Sequence, residues 1–171
     1  GIIFSDNQTE IKDDVDNIIN VSSFKYFDKD KIINANNIEL IDNKQNKYYL
    51  TKGKLKLDAY ELLGKDIKIL LRSDTFGVPD NQPKLKGNAL FYKNDKTLIK
   101  KGIFTTCKEN DNCPPWSISS KEIIHYKDKK EIHYKNAWLK LYNMPVLYFP
   151  KFFHPDPTVD RKSGFLMPTF G

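Results

Sequence analysis

The side chains with the most chemistry in this chain are two cysteines, Cys107 and Cys113, and three histidines, His125, His133 and His154. The cysteines make a lone C-x5-C pair within one polar loop. That is too sparse for a zinc ribbon and lacks the CxxC spacing of a redox motif. Outside the cytosol such thiols can oxidise, to each other or to a cysteine elsewhere. The histidines share no metal-ligand spacing, since His125 and His133 lie in alternating stretches and His154 in a proline-rich one. His154 with Asp156 could be drawn as an acid/base pair. No nucleophile motif or glycine-rich loop accompanies it, so catalysis, a metal and an organic cofactor are not expected.

The elements that carry these residues read as strands. Period-two alternation recurs in Lys54-Leu55-Lys56-Leu57, Asp66-Ile67-Lys68-Ile69 and Ala137-Trp138-Leu139-Lys140-Leu141, each a half-buried strand. Short polar turns separate them, such as Asp42 to Asn46, Lys93 to Lys96 and Lys127 to Lys130, with lengths suited to hairpins. Three segments, starting at Phe24, Leu90 and Ile123, repeat an order of aromatic strand, charged turn and apolar strand. The segment from Leu57 fills the gap between the first two, so strand pairs recur about every thirty-odd residues. A jellyroll of two facing sheets and a short β-solenoid both fit this pattern.

Alternation alone places one apolar set on interior faces. Its first members are Ile38, Leu40, Leu55, Leu57, Ile67 and Ile69. Leu71, Phe91, Ile118, Leu139 and Leu141 complete it.

The length of 171 residues suffices for one core. The formal charge is +6, but many lysines stand beside Asp or Glu in turns such as Asp28-Lys29-Asp30-Lys31, which argues against a nucleic-acid stripe and leaves at most a weak pull toward phosphorylated lipid or anionic membrane. No apolar run approaches the roughly eighteen residues of a membrane helix, and there is no initiator Met or signal-peptide pattern. The chain reads as a segment of something longer.

From Pro145 the character changes to PVLYFPKFFHPDPTVDRKSGFLMPTFG, with prolines at 145, 150, 155, 157 and 168. Prolines at this density forbid a regular central strand. The division expected is residues 1–144 as a β domain and 145–171 as a connector of extended and turn pieces, with Arg161 and Lys162 ahead of Phe165-Leu166-Met167 as an interfacial anchor.

Three motifs stand in order in the last third of the chain: Thr105-Thr106-Cys107 leading to Cys113-Pro114-Pro115-Trp116, then Asn136-Ala137 followed by Met144-Pro145-Val146-Leu147-Tyr148-Phe149-Pro150, then Arg161-Lys162-Ser163-Gly164-Phe165-Leu166-Met167-Pro168. Together they resemble the LptD (OstA) family of outer-membrane lipopolysaccharide-assembly proteins, at the junction where a periplasmic domain enters the barrel. The upstream repeats resemble, less specifically, the OstA-like jellyroll.

The resemblance implies an all-β chain, an OstA-like β-jellyroll of two facing antiparallel sheets that ends at the start of an outer-membrane β-barrel. It implies a segment on the periplasmic side of the outer membrane, with no catalysis and no cofactor. Lipopolysaccharide would be taken from an LptA-like bridge protein, its acyl chains would pass along the apolar interior set, and an LptE-like lipoprotein would attend through the barrel. It nominates Cys107 or Cys113 for a disulfide to the barrel, beside the local Cys107–Cys113 alternative. It nominates Pro168, and after it Pro150, as prolines that weaken strand pairing at the exit seam. The rival function is an extracellular β-solenoid that binds or cleaves polysaccharide.

Overall fold

The computed structural model describes residues 1–12, 16–72, 82–106 and 115–155. Its core is a meander of eight long strands: β5 (Ile32–Ile41), β6 (Lys47–Lys56), β7 (Glu61–Leu70), β8 (Lys84–Lys93), β9 (Lys96–Thr105), β10 (Trp116–Tyr126), β11 (Glu131–Leu141) and β12 (Met144–Pro155). Each pairs antiparallel with the next. Antiparallel neighbours need only tight turns, which the charged four-residue stretches of the sequence repeat supply. The rungs of a β-solenoid run parallel, so this register excludes that architecture.

Every long strand bends at its middle. In Ala35-Asn36-Asn37-Ile38, Gly64-Lys65-Asp66-Ile67, Ile99-Lys100-Lys101-Gly102 and Tyr134-Lys135-Asn136-Ala137, two consecutive polar residues face out between inward ones. Asn37, Asp66, Lys101 and Asn136 have φ of 47°, 50°, 50° and 50°. This left-handed conformation costs roughly 1–2 kcal/mol for an ordinary residue and less for Asn or Asp, whose side chains bond locally. The ladder registers skip these positions, as between Asn36↔Lys52 and Ile38↔Leu50. The bends line up into one seam, and the meander folds along it into two facing leaves. The first leaf holds the strand halves on the side of the turns at 28–31, 57–60 and 127–130; the second leaf holds the other halves.

Four short strands finish the N-terminal end: β1 (Ile2–Ser5), β2 (Thr9–Lys12), β3 (Ile18–Val21) and β4 (Ser23–Phe27). Beside β5 the two leaves part. β4 pairs with the first-leaf half of β5 and is covered by β1, while β3 pairs with the second-leaf half and is covered by β2. The fold is all-β, an antiparallel two-leaf jellyroll.

Close approach at the seam explains the glycines. A Cβ on Gly53 would stand 2.4 Å from Ile38 Cδ1, on Gly64 2.2 Å from Leu50 Cδ2, on Gly87 2.3 Å from Ile99 Cγ2, and on Gly102 2.4 Å from Ile123 Cδ1. In each case the glycine sits in one leaf and the branched side chain comes from the other. Leu50, Ile67, Leu90, Ile99, Ile123, Tyr134 and Ala137 form a single buried cluster there. Valine at Gly102 is expected to destabilise the fold by about 1–3 kcal/mol through overpacking, because both Cδ1 and Cγ1 of Ile123 lie within 2.9 Å of the added Cβ. A urea midpoint unchanged from that of the parent chain would show that the leaves can part freely.

The boundary expected at 144/145 runs through the β11–β12 hairpin. Residues 144–155 form a strand, the last among the described residues, paired with β11 from Leu141↔Met144 to Glu131↔Pro155. The prolines fit because β12 is an edge strand among the described residues, where a missing N–H is tolerated. Pro145 stands beside the register shift at Leu139/Lys140, Pro150 faces the bend at Asn136, and Pro155 closes the strand.

Candidate functional site

The space between the leaves is the site that the interior set predicts. Its walls are tight at the seam and open away from it. Along β7, exposure rises from 3% at Ile67 to 8% at Ile69, and Leu71 beyond is half-buried. The same gradient runs from Leu50 to Tyr48, from Leu90 to Tyr92, from Ile99 to Thr97 and from Ile123 to His125. Each pair is two residues apart on one face, so the second member stands farther from the seam. The result is a wedge with an apolar wall and a half-open mouth. At the β9–β10 end of the second leaf the wall closes, where Phe104 and Trp116, each 5% exposed, pack with Leu85, Ile118, Leu139 and Leu141.

The predicted residues fall mainly on these walls. Ile38, Ile67, Ile69, Leu71 and Ile118 belong to or pack on the main cluster. Leu139 and Leu141 pack on the Phe104–Trp116 pair. Leu40 lies opposite Tyr48 and Leu55 opposite Leu62, on the inner faces of the second and first leaf. Leu57, 38% exposed, stands at the rim.

Phe91 does not belong with them. It faces outward, 38% exposed, with Lys100 Nζ 5.5 Å from the centre of its ring. Strict alternation from Leu85 and Gly87 brings Ala89 and Phe91 inside, but the bend at Asn88-Ala89 shifts the frame, so Leu90 and Tyr92 point in. Phe91 instead helps line a cleft of about 620 Å³ on the outer face of the first leaf, with Leu63, Lys25, Lys52, Lys54 and Lys65. The wall residues that sequence reasoning missed, Tyr48, Leu62 and Tyr92, sit in the triplets Tyr48-Tyr49-Leu50, Leu62-Leu63-Gly64 and Leu90-Phe91-Tyr92. A run of three apolar residues gives no phase; the polar pair at each bend would have supplied it.

Two polar side chains inside the wedge, Tyr134 and Tyr48, are bonded locally. The buried Tyr134 hydroxyl is hydrogen-bonded to His154 Nε2 at 3.0 Å, while His154 Nδ1 donates to the Pro155 carbonyl at 2.7 Å. Burial pushes the Tyr134 phenol well above its ordinary pKa. Tyr48 is pushed up likewise, by burial first and then by the charge and hydrogen bond of Asp42. His133 turns outward, 2.9 Å from Glu131 and stacked on Phe153. Among the described residues no group of three or more His, Cys, Asp or Glu side chains is placed to hold a metal ion.

Cys107, Cys113, Arg161, Lys162 and Pro168 lie outside the described residues, as does Asp156. Pro150 is described, and stands at the seam in the outermost strand.

No family model matches the chain. Several proteins named LPS-assembly protein LptD are similar to it over part of its length. The one from Yersinia pestis bv. Antiqua (strain Antiqua) is 38% identical over 73 residues, 42% of this chain and 9% of that protein. The one from Hahella chejuensis (strain KCTC 2396) is 41% identical over 75 residues, 43% of this chain and 9% of that protein. The one from Pasteurella multocida (strain Pm70) is 28% identical over 102 residues, 59% of this chain and 12% of that protein. The aligned stretches thus span about a tenth of each relative, and they support an LptD-like relationship for this chain.

Proposed function

We propose that this chain is a periplasmic segment of an LptD-like lipopolysaccharide-assembly protein, and that its wedge carries the acyl chains of lipopolysaccharide toward the outer membrane. The observation that carries this reading is the gradient across the leaves: an apolar wall, buried at the seam and half-buried toward the mouth, that runs from β5 to β11 except where Phe104 and Trp116 close the second leaf. A closed core would bury both ends of that gradient equally. An open one offers acyl chains a surface while sugars and phosphates stay in water.

The energetics match such a task. At about 0.8 kcal/mol per methylene, an acyl chain of some fourteen carbons costs roughly 10 kcal/mol to expose. A groove continuous across the strands lowers that barrier along the whole path, and it needs no bond-making chemistry. In this reading lipid enters beside β1 and β2, where an LptA-like jellyroll docks, and leaves beside β12, where the chain leads on toward a barrel and an LptE-like lipoprotein. The relatives named LPS-assembly protein LptD favour this cargo over polysaccharide.

A photo-crosslinking amino acid tests the path. Placed at Ile69 or Leu139 it is expected to capture lipopolysaccharide during transport, and placed at Lys68 or Lys140 on the outer faces it is expected not to. Equal capture from both faces would remove the wedge as the route.

A further inference from the structure

The fold sorts the lysines in a way the linear sequence hides. At the rim, turn lysines pair with neighbouring acids: Lys31 with Asp28 at 2.7 Å, Lys56 with Asp58 at 3.7 Å, and Lys93 with Glu61. Lys31 and Asp28 push each other's pKa values apart, up for the ammonium and down for the carboxyl, first of all through their hydrogen bond. At the outer side of the seam positive charge predominates. The cross-strand row there runs Lys52↔Lys65↔Ala89↔Lys100↔Glu122↔Lys135↔Lys151, and Lys101 and Lys121 stand beside it at the bend.

Seven lysines thus line a convex ridge against two carboxylates, Asp66 and Glu122. All seven lysines are exposed. Glu122 is the ridge's one ion-paired acid among the described residues, 3.0 Å from Lys135. Its carboxyl is held below the ordinary range by that hydrogen bond, and further by the charges of Lys135, Lys100 and Lys121. Lys52 faces Lys65, and Lys135 faces Lys151, directly across the ladder. Like charges so opposed destabilise a sheet, so the fold bears a cost to keep the ridge positive.

The C-terminal end of the ridge carries a second feature. On one flank Trp138 and Tyr148, each 42% exposed, pack with ring centres 4.8 Å apart, and the Tyr148 hydroxyl donates to Asn136 Oδ1 at 2.7 Å. On the other flank Phe153, 55% exposed, stacks on His133. Amphipathic Trp and Tyr rings beside exposed lysines, here Trp138 and Tyr148, are the side-chain set of a membrane–water interface, with the rings at headgroup depth and the ammoniums on phosphate. A linear polyanion would use the lysines but has no need of the rings.

We infer that the β9–β12 stretch of this ridge, with its flanking rings, docks on an anionic lipid bilayer. The contact uses the outer surface, so it is independent of any lipid carried between the leaves.

The test uses the 171-residue chain and sedimentation with vesicles of phosphatidylcholine, with or without about a third phosphatidylglycerol. Anionic vesicles are expected to bind it, with affinity falling as salt rises, and neutral ones are expected not to. A lysine near such a surface is worth roughly fivefold in partitioning. The variant Lys101→Glu, Lys121→Glu, Lys151→Glu should therefore bind about a hundredfold more weakly, while the rim variant Lys29→Glu, Lys44→Glu, Lys130→Glu, of the same net charge, should lose about threefold or less. Trp138→Ala with Tyr148→Ala should weaken binding and leave its salt dependence intact. Circular dichroism confirms that each variant remains folded. Equal losses in the two charge variants, or full binding without the rings, would overturn the inference. So would capture of soluble polyglutamate through the same lysines in the absence of vesicle binding.

Discussion

An aspartate at Leu139 is expected to stop lipid binding in the wedge, with the loss of a lipid A probe's affinity about thirtyfold or more, while the sheet stays folded. Leu139 packs on the Phe104–Trp116 pair of the second leaf and is half-buried. On the proposed route an ionised carboxylate there faces the acyl chain, and its ladder partners, Ile118 and Leu147, offer it no cation. Leaving such a charge dry costs a few kcal/mol even after water penetration, and each 1.4 kcal/mol is a factor of ten. The neighbouring Lys140→Asp changes charge more but points outward, so it is expected to bind the probe as the parent does. Thermal midpoints of both variants separate a blocked groove from a lost fold. If Leu139→Asp keeps its midpoint and still binds the probe, the wedge is core and nothing more.

The contrast between Leu139 and Lys140 was legible because both lie within one leaf, where period two holds. What alternation could not supply was the bend. The sequence Gly64-Lys65-Asp66-Ile67 looks like an interruption in a strand, and it is in fact the place where one strand passes from leaf to leaf. Phase therefore carries within a leaf, as it does from Ile67 to Ile69 to Leu71, and fails across the seam, as it does from Gly87 to Phe91. The physical cause is local. A left-handed residue turns the chain through the corner, and the two outward polar side chains leave the glycine or alanine of one leaf facing the isoleucine or leucine of the other. The lysine ridge was hidden for the same reason, since its members are spaced by whole hairpins and meet only when the strands pair. The proline stretch misled differently: prolines spaced five apart read as a connector, yet an edge strand accepts them wherever the N–H would point away from its one neighbour.

Lysine substitutions at Ile2 and Phe4 are expected to weaken docking of an LptA-like jellyroll by about a hundredfold, with little effect on the chain alone. The N-terminal edge is where the sheet is least finished. Ile2, Ile3 and Phe4 are 61%, 60% and 63% exposed on a strand with one neighbour, and β1 contributes only four paired residues. A bare apolar edge is a template for another strand, and monomeric proteins normally blunt it with charge or a bulge. The division of this end into β1–β4 on one leaf and β2–β3 on the other keeps the mouth between them open, so a partner that adds strands to both leaves would continue the groove instead of capping it. The stretch from Val21 to Tyr26 offers no such edge, because β4 is already covered by β1 and β3 by β2. Burying two large apolar side chains is worth about 3–6 kcal/mol, of which the two lysines forfeit the greater part. Isothermal titration with the partner jellyroll measures the loss. Lysines placed instead at Met144 and Val146, 70% and 50% exposed on the opposite edge, should leave it unchanged, and an equal loss from that far edge would mean that the partner does not choose between the two ends.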